Sequence, residues 1–168
     1  MKYQIGQYIM YLNRGVCQIE AIGKVPFLPN KEKDYYTLRP PFTNSNEHIY
    51  IPVNSEKYMK DMITCDEAHS YLADLKDLEV KPIRSSKASH LTTHYQELLS
   101  TPDIHKHLQL FKELWLKEDR AKKLGRRLGE TERRFKRKIE ELLSEEFAIA
   151  LNESPALSIK RLYLALQF

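Results

Sequence analysis

The chain is poor in the residues that build several common kinds of site. Its 168 residues include two cysteines, five glycines and one tryptophan. Two cysteines, Cys17 and Cys65, cannot form a disulfide framework, and no CxxC pair suggests zinc. Cys17, flanked by Val16 and Ile19, reads as buried apolar filler in a reducing compartment. So few glycines leave little room for a phosphate-cradling loop, and no GxGxxG, P-loop or GxSxG motif occurs. No HExxH occurs either. His90 and His94 stand four residues apart, as metal ligands can, but lack an obvious third ligand and read as surface histidines. The residues therefore point to no enzyme, no catalytic residue, no metal and no cofactor. No run of 18 apolar residues occurs, so no membrane span is expected. The opening MKYQIGQYIMYLNRG lacks the features of a signal peptide, so a cytoplasmic protein is expected.

What is present is ordinary for a globular protein: 42% hydrophobic and 30% charged residues, with a net charge of +4. The charge is unevenly spread. Residues 1–68 balance eight basic against eight acidic residues, and all the excess lies beyond them. Residues 120–138 alone carry ten basic residues against Glu130 and Glu132. A local excess of this size fits a polyanionic partner.

The first third reads as strands. Residues 7–12 are rich in β-formers, Asn13-Arg14-Gly15 is a turn, and residues 16–22 alternate roughly between two faces. Asp34-Tyr35-Tyr36-Thr37-Leu38 and His48-Ile49-Tyr50-Ile51-Pro52 supply a third and a fourth strand. Short strands with tight turns predict a small curled sheet or barrel. The remainder has helical periodicity. Asp66 opens a helix to about Leu78, and a linker spans residues 79–89. A second helix stops before Pro102, and a third begins at Pro102 and fades near Gly125. A fourth is capped by Thr131, and a fifth opens at Ser154-Pro155. The expected domains are 1–66 and 67–168, in an α+β chain.

Several stretches, in order along the chain, carry a family likeness. They are Ile5-Gly6-Gln7-Tyr8-Ile9-Met10-Tyr11 with Asn13-Arg14-Gly15-Val16, then residues 34–38, then Ile49-Tyr50-Ile51-Pro52-Val53. Glu132-Arg133-Arg134-Phe135 with Leu142-Leu143-Ser144-Glu145-Glu146-Phe147-Ala148 completes the set. Together they resemble the CarD/CdnL family of RNA-polymerase-binding transcription regulators, whose N-terminal module also occurs in transcription-repair coupling factor. The resemblance implies a small Tudor-like β-barrel followed by an all-helical domain. It implies a bacterial regulator, cytoplasmic and nucleoid-associated, with no catalysis. The barrel would dock on the polymerase β subunit by sheet-edge pairing, and the helical domain would meet promoter DNA at the upstream edge of the bubble and stabilise the open complex.

In physical terms, an incompletely closed sheet leaves unpaired backbone groups where a partner strand adds. Residues 34–39 and 48–52 are the candidate edges. Tyr35, Tyr36, Tyr50 and Tyr58 are either interface contacts or in part core. Lys24, Tyr36, Arg39 and Tyr50 are the candidate polymerase-binding residues. For DNA the candidates are Leu91, His94, Arg126, Arg127, Arg133, Arg134 and Arg137. The arginines would neutralise phosphates, helped by helix N–H groups from Gly129 onward. The plainer reading is a solvated face with pairs such as Arg137–Glu141. The chain departs from the family where a Trp-x-Arg-Arg-Tyr-Arg-Glu segment opens the helical domain. Here Leu91 replaces the wedging Trp, and Thr93-His94 replace the basic pair, while Tyr95 matches. Leucine is a usable wedge type. Trp115, on a face with Phe111, reads as core. The departure leaves open a protein-only adaptor that touches no DNA. Monomer and dimer both remain open, since an apolar last helix (Leu157, Leu162, Leu166) would serve either.

Overall fold

The computed structural model describes residues 2–11 and 14–167. Packing divides the chain into one unit ending at Met62 and a second beginning at Ile63. The first is a sheet and the second is helical, as expected of an α+β chain.

Five strands make up the sheet: β1 (Tyr8–Tyr11), β2 (Gly15–Lys24), β3 (Asp34–Arg39), β4 (Ile49–Pro52) and β5 (Met59–Asp61). They are antiparallel in the order β4-β3-β2-β1-β5. Gly15 stands at φ 82°, a conformation that favours glycine, and it pairs with Tyr11 across the first hairpin. Leu12 and Asn13, the rest of the expected strand end and turn, lie outside the described residues. The rough alternation of residues 16–22 has a local cause. The register against β3 shifts between Ile19 and Ala21, so Glu20 is a bulge residue. Cys17 and Ile19 face the core before the bulge, and Ile22 packs against the same cluster after it.

That core is aromatic and aliphatic. Ile9, Cys17, Ile19, Tyr36 and Leu38 are wholly buried, joined by Tyr3, Ile51 and Met59. Tyr36 stays buried because its hydroxyl donates a hydrogen bond to the Glu56 carboxylate. β4 and β5 end the sheet and do not pair with each other. The expected barrel is thus found as an open five-stranded sheet.

The helical unit holds α1 (Cys65–Asp74), continued by a 3-10 turn (Leu75–Asp77), then α2 (Ala88–Ser100), α3 (Ile104–Lys123), α4 (Glu130–Leu151) and α5 (Pro155–Gln167). Three starts differ from expectation. Thr64, not Asp66, caps α1: its hydroxyl accepts the Glu67 N–H while Glu67 reaches back to the Thr64 N–H. Asp103 caps α3 by accepting from the His105 N–H, which leaves Pro102 outside the helix. Gly129 caps α4, and Thr131 lies within it.

Each helix contributes a stripe to one core. Leu91, Tyr95 and Leu98 come from α2, Leu108, Phe111 and Leu114 from α3, and Phe135, Ile139, Leu143 and Phe147 from α4. α5 packs Leu162 and Leu166 into the same cluster, while Leu157 and Leu164 remain exposed. Full burial of one such side chain is worth about 1.5–3 kcal/mol, so these stripes hold the unit together. Trp115 packs against this core, as expected. Among the described residues, no helix is long and apolar enough to cross a membrane.

Candidate functional site

Among the described residues, β4 and β5 are the two edges of the sheet, and they differ. β5 has three residues, two of them charged (Lys60 and Asp61), which blunts it as a template for pairing. β4 is the richer edge. Ile51 turns into the core, and its neighbour Tyr50 points to the opposite face, half-buried. The Tyr50 ring meets Phe27 edge-on, with centroids 5.3 Å apart, and stacks near His48 at 6.4 Å. Phe27 is 70% exposed, so β4 carries an aromatic patch beside its free edge. His48 Nε2 lies 2.8 Å from the Glu20 carboxylate, which anchors the patch to the bulge.

The candidate polymerase-binding residues divide accordingly. Tyr50 sits on the β4 edge. Arg39 is exposed at the end of β3, opposite Gln18. Lys24 is exposed at the end of β2, 3.9 Å from Glu32. Two expectations need correcting. β3 is not an edge, because it pairs with β2 on one side and β4 on the other. Tyr36 is 0% exposed, so its ring serves the core and cannot meet a partner. Tyr35 is buried as well, while Tyr58 is exposed. Phe27 was missed; a bare phenylalanine between Pro26 and Pro29 was its only signal.

The helical unit also sorts its candidates. Leu91 is 8% exposed and belongs to the core, so it is no surface wedge. His94 Nε2 lies 2.9 and 3.0 Å from the two oxygens of Glu113, which is 0% exposed. His94 thereby satisfies a buried carboxylate and is not presented to a nucleic acid. Tyr95 is also interior. Lys117 Nζ donates to its hydroxyl at 2.7 Å and pairs with Glu132 at 3.1 Å, while the hydroxyl donates to Glu132 at 3.2 Å. Burial, with Glu132 and Glu113 nearby, pushes the Tyr95 phenol well above its ordinary range.

The five arginines remain on the surface. Arg126 and Arg127 sit in the α3–α4 connection. Gly125, at φ 68°, ends α3: its N–H donates to Lys122 O at 3.0 Å, and the Arg126 N–H donates to Ala121 O at 2.8 Å. This closing motif satisfies the last carbonyls and fixes where Arg126 leaves the helix. Among the described residues, neither Arg126 nor Arg127 has a carboxylate within ion-pairing distance. Arg133 pairs with Glu130 at 2.8 Å, and Arg137 reaches the same carboxylate at 4.0 Å instead of pairing with Glu141. Arg134 and Lys138 lie over the Phe135 ring. The N-terminus of α4 is a poorer phosphate site than expected, because Glu130 and Glu132 occupy its first turn. Among the described residues, no group of three or more His, Cys, Asp or Glu is placed to hold a metal ion.

Residues 3–63 match the model of the CarD-like/TRCF RID domain family. The match takes in all five strands and stops before the Thr64 cap of α1. No curated protein matches the chain.

Proposed function

With a CarD-like/TRCF RID domain, an RNA-polymerase-interacting module, at residues 3–63, we propose that the chain is a non-catalytic transcription regulator that binds the RNA polymerase β subunit through the β4 edge. The observation that carries this reading is an edge strand flanked by an aromatic pair, the half-buried Tyr50 and the exposed Phe27, inside the matched module. A partner strand adds main-chain hydrogen bonds there, and the aromatic rings supply rigid contact area. Arg39 and Lys24 offer charge at the rim. The module's core draws on all five strands and on Tyr3, which supports a sheet that curls towards a Tudor-like barrel. On this reading the protein works in the cytoplasm, at the nucleoid.

The helical unit would meet promoter DNA near the upstream edge of the bubble and stabilise the open complex. Arg126, Arg127, Arg134 and, in part, Arg133 and Arg137 would neutralise phosphates. Leu91 and His94 have no part in it. A second reading is favoured by that same finding: with its expected wedge in the core, the chain would be a protein-only adaptor. Fluorescence anisotropy on a bubble-containing promoter fragment separates the two. Each phosphate contact adds about 0.9 to the slope of log affinity against log salt. Arg126→Ala with Arg127→Ala should therefore flatten the slope by about 2. Absence of binding at low salt selects the adaptor.

A further inference from the structure

An open, shallow cavity of about 400 Å³ is lined by the α3–α4 connection and by the segment around Ile83 and Arg84. Arg84, Arg120, Arg126 and Arg127 line it, together with Lys117 and Glu132. Lys117 and Glu132 neutralise each other at 3.1 Å and are tied to the Tyr95 hydroxyl, so they form a satisfied polar floor. The four guanidiniums are different. Among the described residues none has a carboxylate within ion-pairing distance, although the chain holds 23 acidic residues. Four like charges around one concavity repel one another, and an anion placed among them relieves that repulsion.

The wall between them is apolar. Ile83, Leu116, Leu124 and Leu128 line the same space, and Leu124 is 59% exposed there. A leucine left open beside unpaired arginines exposes apolar surface that the face of a bound planar ring would cover. Guanidinium planes also grip phosphate oxygens in pairs and stack on planar rings, which an ammonium does less well. The volume lies within the range of small-ligand pockets, about 300–1,000 Å³.

We propose that this cavity is a binding site for a nucleoside polyphosphate, with the phosphates on the four arginines and the base against Leu124 and its apolar neighbours. The ligand is a free small molecule, distinct from the promoter DNA discussed above. It shares Arg126 and Arg127 with that surface, so its binding would compete with DNA there.

Calorimetric titration of the full chain at low salt, with ATP, GTP and inorganic tripolyphosphate as probes, tests the assignment. A nucleoside triphosphate should saturate one site with a dissociation constant of about 10–100 μM. Tripolyphosphate should bind about tenfold more weakly. The doubly substituted Arg126→Ala, Arg127→Ala chain should lose most of the nucleotide affinity. Leu124→Ser should weaken ATP and leave tripolyphosphate unchanged, and Lys160→Ala, far along α5, should change neither. Circular dichroism would confirm that these surface variants fold. Tripolyphosphate binding as tightly as ATP, or no saturable binding of any probe, overturns the proposal. Arginine-dependent binding of a DNA duplex without ATP binding also overturns it, and leaves the promoter-DNA reading standing. ATP binding without duplex binding supports the proposal and removes the promoter reading.

Discussion

Replacing Leu91 by alanine separates a core residue from a DNA wedge. Leu91 is 8% exposed and lies one helical turn from Tyr95, which is wholly buried in the same cluster. Truncating a buried leucine to alanine costs about 2–5 kcal/mol, more where the cavity cannot collapse. Leu91 keeps some exposure and begins its stripe near the start of α2, so the lower part of the range applies, about 2–3 kcal/mol. A helical unit of this size loses about 1.5 kcal/mol of stability per molar urea. The unfolding midpoint should therefore fall by about 1.3–2 M. Trp115 is the chain's only tryptophan and packs on this core, so its fluorescence reports the helical unit alone. An exposed wedge would behave in the opposite way. Its truncation would leave the midpoint nearly unmoved, within about 0.5 kcal/mol, and would weaken DNA binding. That result would refute the assignment of Leu91 to the core.

Two other positions make independent predictions. Lys112 is 7% exposed and donates to the Leu75 and Lys76 carbonyls, at 2.9 and 2.7 Å, where the turn after α1 ends. Lys112→Met should destabilise the helical unit by about 1–3 kcal/mol, because the Lys76 carbonyl loses its partner and the Leu75 carbonyl keeps only the Leu78 N–H; chemical denaturation followed at Trp115 reads it. Burial, with the Glu141 carboxylate nearby, pushes Glu145 up to about 7 from its ordinary 4.5. Below pH 4.5 the carboxyl is protonated in both states. As pH rises towards 7 the unfolded chain ionises first, so stability falls across that window and then levels off. Glu145→Gln should raise the melting temperature at pH 8 and change it little at pH 4.5, and an equal effect at both would contradict the cause given.

The four named strands and five helices could be read from the sequence because their apolar spacing is regular, period two in residues 48–51 and near 3.6 in α3 and α4. The departures have local physical causes. β5 has three residues, too few for a pattern. The Thr64-x-x-Glu67 capping box is spelled out in the sequence, but Asp66, also a favoured cap residue, stands two positions on and masks it. At Leu91 the family motif outweighed the helical pattern, although Leu91, Tyr95 and Leu98 fall at the i, i+4, i+7 positions of a buried stripe. The role of His94 had no local signal, since Glu113 comes from α3, nineteen residues away. Tyr36 alternates correctly as an inward residue, but a tyrosine hydroxyl in a core needs an acceptor, and Glu56 is supplied by a turn twenty residues on. The unpaired arginines stood out by composition alone. Their arrangement around a cavity did not, because Arg84 lies far from the basic run in sequence.

Polymerase binding at the β4 edge, as proposed, has a direct test. Biolayer interferometry measures how the polymerase β subunit binds the full chain and its Tyr50→Glu variant. The Tyr50 ring lies on the face away from the core, so the variant should fold and keep its circular dichroism spectrum. Burying an unpaired carboxylate in place of an aromatic contact should weaken binding by about tenfold or more. Unchanged affinity in a folded Tyr50→Glu chain would contradict the account.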